Sequence, residues 1–175
     1  MTEPSVIPEL DYKNIMSLTD SAVGFLTNSA ILQKELANPS KQKDLLRYFR
    51  LSTVDTTSLL QSIEMFLKVF LLKDGKKLGK LQTHKVYDLF LKLKPEMQHE
   101  FAMAVYGDGT QHFAQLVPVL QANNDKLIRF RYNDLNKSAH LSYENGDVLL
   151  HFAYIMCKKL GEKVTVDGQE WSWHK

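Results

Sequence analysis

The chain has few of the residues that cross-link or interrupt a fold: among its 175 residues are one cysteine, five prolines and eight glycines. A single cysteine, Cys157, excludes a disulfide within the chain. The first residues lack the basic-then-apolar pattern of a signal peptide, so we expect a reducing, cytoplasmic environment. The longest apolar stretch, Met65 to Leu72, contains Lys68 and is far shorter than the roughly 20 residues that span a bilayer. We therefore predict no transmembrane segment and no membrane partner.

Common catalytic motifs are also missing. The chain contains no phosphate-binding P-loop, no dinucleotide fingerprint and no Gly-x-Ser-x-Gly elbow. The stretch HEFAM begins at His99 like a zinc-protease helix, but Met103 stands where the second histidine ligand is needed. The formal net charge of +2 is too small to identify a partner by itself. We predict no metal site and no cofactor.

Apolar residues recur at helical spacing along most of the chain, and glycine and proline fall mainly between the periodic segments. We predict an all-α fold, an up-and-down bundle of four to five main helices with additional short ones. The predicted organisation is an irregular lead-in over 1–10, a helical domain over 11–163 and a C-terminal tail or small β-hairpin over 164–175. The pair Asp167-Gly168 predicts the turn of that hairpin.

The first two predicted helices cover 11–37 and 45–72, the second being one helix or two joined near Ser52-Thr53. A short helix capped by Thr83 is expected to bury one apolar face as far as Leu93. Further helices are predicted over 95–106, 111–122, 125–137 and 147–160, with Gly161 closing the last.

The most basic part of the sequence is 73–94, where seven lysines stand against two aspartates, Asp74 and Asp88. A patch of this kind can bind phosphate groups of nucleic acid or a nucleotide. The alternative is a solvated loop and the outer face of a helix. The candidate ligand-binding residues in this segment are Lys80, His84 and Lys85.

His84 follows the predicted Thr83 cap and lies one helical turn from Asp88. Such a pair can orient the imidazole ring for contact with a ligand. Alternatively, His84 bonds backbone groups near the start of the helix and has only a structural role.

Two arginines lie close together in the stretch KLIRFRYNDL (126–135). On a helix, Arg129 and Arg131 diverge by about 200° and therefore have different surroundings. Arg131 is on the apolar side and needs a carboxylate, so we predict a structural ion pair with Glu64 or Asp88. Arg129 points away from that side and is either solvated or available to a ligand.

Three stretches in this order resemble elements of the HEPN superfamily, the higher-eukaryote and prokaryote nucleotide-binding helical domains: SIEMFLKVFLL (62–72), THKVYDLFLKL (83–93) and FRYNDL (130–135). The resemblance covers roughly 42–159. It implies a helical bundle that is commonly a homodimer. It also implies one of several roles: binding of RNA or a nucleotide, ribonuclease activity in toxin or antiviral systems, or scaffolding.

The ribonuclease branch of that superfamily needs an Arg and a His closer together than the nearest pair here, Arg131 and His140, which has eight residues between them. On one continuous helix this spacing leaves the two side chains on opposite faces, so they converge only if the helix breaks near Asn136. We therefore expect a non-catalytic binding or assembly module. The alternative is a metal-independent ribonuclease in which Arg131 stabilises the scissile phosphate and His140 is the general acid or base.

Trp171 and Trp173 are the two tryptophans of the chain, and in a strand they share one face. Paired aromatic side chains of this kind can anchor a protein partner. The equally weighted alternative is that both pack on their own bundle. The predicted partners are therefore a second copy of the chain, RNA or a nucleotide, or another protein.

Overall fold

The computed structural model describes residues 9–37, 45–107, 112–128 and 145–173. The helices in these segments are α1 (Glu9–Leu36), α2 (Leu45–Lys73), a 3-10 turn (Leu78–Lys80), α3 (Val86–Phe90), α4 (Pro95–Tyr106), α5 (His112–Ala122) and α6 (Gly146–Lys159). Residues 126–128 are also helical. An antiparallel pair of strands follows α6, β1 (Val164–Val166) and β2 (Gln169–Trp171). The predicted all-α bundle with a small C-terminal hairpin is confirmed.

Helix α2 is the centre of the bundle. From Leu59 to Leu72 every residue except Gln61 and Met65 is buried, and a helix buried around its whole circumference must be enclosed by other elements. Helices α1, α3 and α6 pack against it. The helix runs without a break from Leu45 to Lys73, so the version with two helices joined near Ser52-Thr53 is wrong.

Helices α1 and α2 run antiparallel and are joined by polar contacts as well as apolar ones. Asn28 Nδ2 donates to Ser58 Oγ at 2.7 Å, and Ser62 Oγ donates to the carbonyl oxygen of Ala22 at 2.8 Å. The later residue of α1 contacts the earlier residue of α2 in this pair of bonds, so the two helices run in opposite directions. Because each buried hydroxyl needs a partner, these bonds favour one register between the two helices.

Both α2 and α6 end in a Schellman motif, with a glycine in the left-handed region just past the helix. Gly75 has φ 80°, and its amide donates to the carbonyl oxygen of Leu72 at 2.9 Å. The amide of Lys76 donates to the carbonyl oxygen of Leu71, also at 2.9 Å. The same pair of bonds closes α6 around Gly161, whose φ is 81°. The predicted role of Gly161 is confirmed, since a side chain at this φ is strained.

Four phenylalanines from four helices meet in the core. Phe101 of α4 packs edge-to-face on Phe70 of α2 and Phe152 of α6, with ring centroids 5.1 Å and 5.6 Å apart. Phe152 also makes an edge contact with Phe90 of α3 at 6.0 Å. The aromatic cluster therefore links α2 with α3, α4 and α6.

The C-terminal hairpin turns at Asp167-Gly168 as predicted, with φ of 52° and 77° at the two residues. Two consecutive positive φ values are the signature of a type I′ turn. Val164 and Val166 are buried against the bundle, and Lys34 of α1 lies 2.6 Å from Asp167. A two-stranded hairpin is marginal alone, and this packing on α1 stabilises it.

Helix α3 differs from the prediction in both its start and its length. It begins at Val86 with Lys85 as the N-cap residue, rather than at Thr83, and covers five residues. It stops early because Lys94 precedes Pro95 and is held extended, with ψ 144°. Leu93 is nevertheless buried, as its spacing predicted.

Three other boundaries also bear on the prediction. Helix α1 begins at Glu9, so residues 9 and 10, predicted to be irregular, are helical. Helix α4 has the predicted bounds. Of the helix predicted over 125–137, residues 126–128 are helical and those from 129 onwards lie outside the described residues.

Within the described residues, one helix segment, Asp11–Leu36 of α1, is long and apolar enough to cross a membrane by length and composition. About a third of it is buried inside the protein. Because core helices of soluble proteins and signal sequences share these properties, the finding is weak evidence and leaves the prediction of no transmembrane segment as a prediction.

Replacing Phe152 by alanine tests the aromatic core. We expect Phe152→Ala to lower the free energy of unfolding by about 3–5 kcal/mol, since it removes a fully buried ring with two ring neighbours. Urea denaturation followed by circular dichroism measures the change. Leu91→Ala is the matched control, because Leu91 is 48% exposed and its loss should change stability by no more than about 0.5 kcal/mol. Equal effects of the two substitutions would contradict this account of the core.

Candidate functional site

The most unusual residue of the core is Glu64, whose side chain is fully buried in α2. It lies among leucines and phenylalanines of the same helix that are also buried, including Leu60 and Leu67. Burying an ionised carboxylate costs several kcal/mol unless it is paired and hydrogen-bonded. The groups that contact Glu64 must therefore be held in place by the fold, since they compensate its buried charge.

Two cationic or proton-bearing groups meet the same carboxylate oxygen. Lys68, one turn further along α2, donates from Nζ to Oε1 of Glu64 at 2.6 Å, and its side chain is 10% exposed. His84 Nδ1 lies 2.9 Å from that oxygen, and the His84 side chain is 32% exposed. We name these three residues the Glu64 cluster. It connects the buried core to the surface through one imidazole ring.

The chemistry of the cluster assigns roles to the two ring nitrogens of His84. An ionised carboxylate only accepts hydrogen bonds, so Nδ1 carries the proton that faces Glu64. With that proton on Nδ1, Nε2 is an acceptor in the neutral ring and a donor in the protonated one. The carboxylate behind the ring fixes its orientation in the same way that it does for ligand-binding histidines elsewhere.

The backbone around His84 is held from both sides. Leu81 and Val86 are buried and anchor the two ends of the segment, and Thr83 Oγ1 accepts a bond from the amide of Lys85 at 3.1 Å. His84 consequently precedes α3 instead of lying inside it. The threonine predicted as a helix cap acts here as a turn residue that positions the histidine.

The expected pairing of His84 with Asp88 rested on both residues being in one helix. Because α3 begins only at Val86, the i,i+4 geometry does not apply, and the ring of His84 meets Glu64 instead. Asp88 Oδ1 accepts a bond from Asn124 Nδ2 at 3.1 Å. Asn124 Oδ1 in turn accepts from the amide of Tyr87 at 2.9 Å, so a residue distant in sequence caps α3.

The segment that contains His84, from the end of α2 to Lys94, is rich in exposed lysines. Both acidic residues of this segment have partners: Asp88 bonds Asn124, and Asp74 pairs with Lys94. The hydrogen bond to Asp74 and the attraction of its charge raise the pKa of Lys94. Lys85 pairs with Asp125 at 3.3 Å. The remaining exposed lysines of this segment form no ion pair within the described part of the chain, and we call them the lysine surface: Lys73, Lys76, Lys77, Lys80 and Lys92.

Three predicted site residues, Arg129, Arg131 and His140, lie outside the described residues. The ligand role of Arg129, the Arg131–His140 ribonuclease pair, and the ion pair of Arg131 with Glu64 or Asp88 therefore stay predictions. What the sequence analysis missed is the partner of Glu64 on its own helix. The spacing of Glu64 and Lys68, four residues apart, is a recognised signal for such a pair.

The tryptophans pack on α6. Trp173 stacks on His151 with ring centroids 5.7 Å apart, and Trp171 makes an edge contact with Tyr154 at 5.5 Å. The two indoles also touch each other at 6.4 Å. These contacts favour the alternative in which both side chains hold the C-terminal segment on its own bundle.

Other chemically active side chains are kept apart. Cys157 is buried, and burial together with the nearby carboxylate of Glu162 raises the pKa of its thiol to about 11. Glu100, from the stretch HEFAM, pairs with Lys159 across α4 and α6. Among the residues that the structure describes, no three His, Cys, Asp or Glu side chains gather as a metal site would require.

Comparisons of the chain with protein-family models, with curated proteins and with solved structures find no match.

Removing Glu64 tests whether the cluster is a coupled unit. We expect Glu64→Leu to lower the free energy of unfolding by about 3–5 kcal/mol, because it leaves the buried ammonium of Lys68 without this acceptor. Adding Lys68→Met should recover part of that loss, since no buried charge remains to be compensated. Urea denaturation at constant pH measures both, with the exposed Lys73→Met as the control. A double variant that is no more stable than Glu64→Leu would contradict the coupling.

The thiol of Cys157 should be unreactive in the folded protein. A pKa of about 11 leaves very little thiolate near pH 8, and the side chain is also buried. We expect a disulfide reagent such as DTNB to label the folded chain far more slowly than the urea-unfolded chain at the same pH. Since the chain has one cysteine, all of the label reports on this thiol. Rapid stoichiometric labelling without denaturant would show that Cys157 is accessible.

Proposed function

We propose that the chain is a HEPN-like, non-catalytic helical binding module that binds RNA through its phosphates at the lysine surface beside His84. The observation that carries the proposal is the set of five exposed lysines between residues 73 and 92 that form no ion pair within the described part of the chain. A group of unpaired cations attracts a polyanion because binding releases the counterions condensed along its phosphates.

The neighbouring acidic residues strengthen this proposal. Asp74 and Asp88 are the two acidic side chains of the 73–94 segment, and both already have partners. The charge of Asp74 is paired with Lys94, whereas Asp88 bonds a neutral amide and keeps its charge, so one carboxylate of this segment stands against the five lysines of the lysine surface. The surface keeps a positive potential even though the chain as a whole is close to neutral.

His84 adds a positioned group to this charged surface. Its ring is held by Glu64 at 2.9 Å and remains a third exposed, so contact with a ligand would not carry the cost of ordering a mobile side chain. Lys85, next in the chain, is partly occupied by Asp125 at 3.3 Å. In the proposed complex, the lysines contact the phosphates and His84 contributes a ring whose orientation is already fixed by Glu64.

Binding of a short fluorescein-labelled single-stranded RNA, followed by fluorescence anisotropy over a series of salt concentrations, tests the proposal. We expect binding that weakens with salt. The triple variant Lys76→Gln, Lys77→Gln, Lys80→Gln should lower the slope of log affinity against log salt by about 2, because each phosphate that a lysine neutralises adds roughly 0.7 to that slope.

The matched control removes three lysines at the opposite end of α2: Lys34→Gln, Lys158→Gln and Lys163→Gln. Each of these is ion-paired in the structure, and the contact between α1 and α2 near Asp55 puts Lys34 about 27 Å along α2 from Lys73. If both triple variants lowered the slope of log affinity against log salt equally, the effect would depend only on net charge, and the lysine surface would not be the binding site. Absence of any salt-dependent binding would overturn the function.

The non-catalytic part has its own test. Incubation of the pure protein with labelled RNA in EDTA should leave the RNA intact in a gel assay. Metal-independent cleavage that disappears in His140→Ala would contradict the proposal and would support the ribonuclease alternative.

A further inference from the structure

Helix α1 has an outward face with an unusual composition. Six of its exposed positions follow one another every three or four residues: Lys13, Ser17, Ser21, Gly24, Asn28 and Ile31. Tyr12, Met16, Asp20 and Lys34 are exposed beside them. Between Lys13 and Lys34 the only charged residue is Asp20. The solvent side of a helix normally carries charged residues, so a face of small and apolar residues over this length indicates contact with something else.

Gly24 lies at the middle of this face. A glycine inside a helix is less favourable than alanine by up to about 1 kcal/mol, so it needs a compensating role. A side chain at Gly24 would meet nothing within 4 Å in this chain. Together with Ser21, Phe25 and Asn28, Gly24 lines a shallow depression of about 380 Å³. Both observations are explained by the close approach of a second helix at this point.

The charges of the face favour a protein partner over a lipid surface. Helices that lie on membranes carry lysine and arginine on the polar side and large apolar residues on the other. Here the face between Lys13 and Lys34 has no basic residue and contains Asp20. Its serines, its asparagine and its glycine are residue types that pack against another helix.

We propose that this face binds the same face of a second copy, with the two α1 helices antiparallel and a twofold axis at Gly24. Under that symmetry the residue numbers of opposed positions add to 48. Lys13 of each copy then meets Glu35 of the other, so the two ends of the interface carry two pairs of opposite charges. Asp20 meets Asn28, whose Nδ2 has two N–H groups, one of which bonds Ser58 within its own chain.

The complementarity extends to side-chain size. Gly24 meets Gly24 at the point of closest approach, and Ser17 meets Ile31, a small residue against a large one. The contact from residue 13 to residue 35 is about 33 Å long at 1.5 Å per residue. A single pair of helices gives an interface at the small end of the specific range, so we expect a reversible dimer. The dimer does not depend on the proposed RNA binding, since the two use different surfaces.

Charge reversal tests the symmetry. Sedimentation velocity over a range of protein concentrations should show a reversible dimer for the natural chain. We expect Lys13→Glu and Glu35→Lys each to weaken the dimer by about tenfold or more, because each places like charges opposite one another at both ends. The double variant should restore dimerisation, since it re-forms both pairs with the signs exchanged. A double variant as weak as the single ones would overturn the antiparallel arrangement.

Variants at Gly24 test the close approach. Gly24→Gln should abolish the dimer, whereas Ala104→Gln, at an exposed position of α4, should leave it unchanged. Gly24→Ala should raise the thermal unfolding midpoint of the monomer, because alanine favours the helix and its Cβ has open space. It should also weaken the dimer. Only a contact between molecules gives these two effects opposite signs.

The remaining outcomes overturn the proposal. A protein that stays monomeric at all concentrations has no such interface. A dimer that is unaffected by Gly24→Gln uses another surface. Monomeric protein that co-sediments with phosphatidylcholine–phosphatidylglycerol vesicles, and loses this property in Gly24→Gln, would assign the face to a lipid surface instead.

Discussion

The burial of α2 between Leu59 and Leu72 is the constraint on which the rest of the structure depends. A helix enclosed around its whole circumference has no solvated face for charged residues, yet α2 carries Glu64 and Lys68 among its buried positions. The two charges must therefore neutralise each other and find further hydrogen bonds inside the protein. Glu64 also accepts a hydrogen bond from Nδ1 of His84. The buried carboxylate of α2 therefore fixes the position of the loop that precedes α3.

A second buried carboxylate has a comparable effect at the other end of α2. Asp55 is almost fully buried and receives a hydrogen bond from Ser29 and another from Gln33 at 2.6 Å, both on α1. Apolar side chains alone allow two helices to slide past each other at modest cost, whereas an unsatisfied buried carboxylate is expensive. The polar contacts thus favour one register of α1 on α2 over the others that apolar packing alone would allow.

The elements that the sequence predicts correctly are those specified locally. Pro95 begins α4 and Gly161 ends α6 because both residues act through their own backbone conformation, and Asp167-Gly168 specifies its turn in the same way. Periodicity also identified the buried face of α3, including Leu93 beyond the end of the helix. Tertiary contacts could not be read in this way. The bond from Tyr87 to Asn124 joins residues 37 positions apart, and no pattern around either residue indicates it.

The partner of His84 shows the limit of reasoning from spacing. The rule that pairs residues four apart holds only inside a helix, and it correctly describes Glu64 with Lys68 but not His84 with Asp88. The same i,i+4 spacing therefore describes a real pair in α2 and fails before α3, because Asn124, from elsewhere in the fold, caps α3 and its first residue is Val86. A histidine at the predicted end of a short helix is consequently better treated as a loop residue whose partner lies in the nearest buried helix.

The two proposed surfaces have a geometric relation that follows from the antiparallel pairing of α1 and α2. The bond between Ser62 and the carbonyl of Ala22 puts Gly24 beside the middle of α2, near residue 60, so Lys73 lies about 20 Å further along the bundle. A twofold axis at Gly24 reverses the direction of the second copy and carries its lysine surface to the opposite end. The two surfaces of the proposed dimer are then separated by about 40 Å along α1. A single nucleotide cannot span that distance, whereas one RNA strand of sufficient length can bind both surfaces and gain from the high effective concentration of the second. Dimerisation through α1 would in this way favour long polyanions over small ones without any change in the residues that contact phosphate.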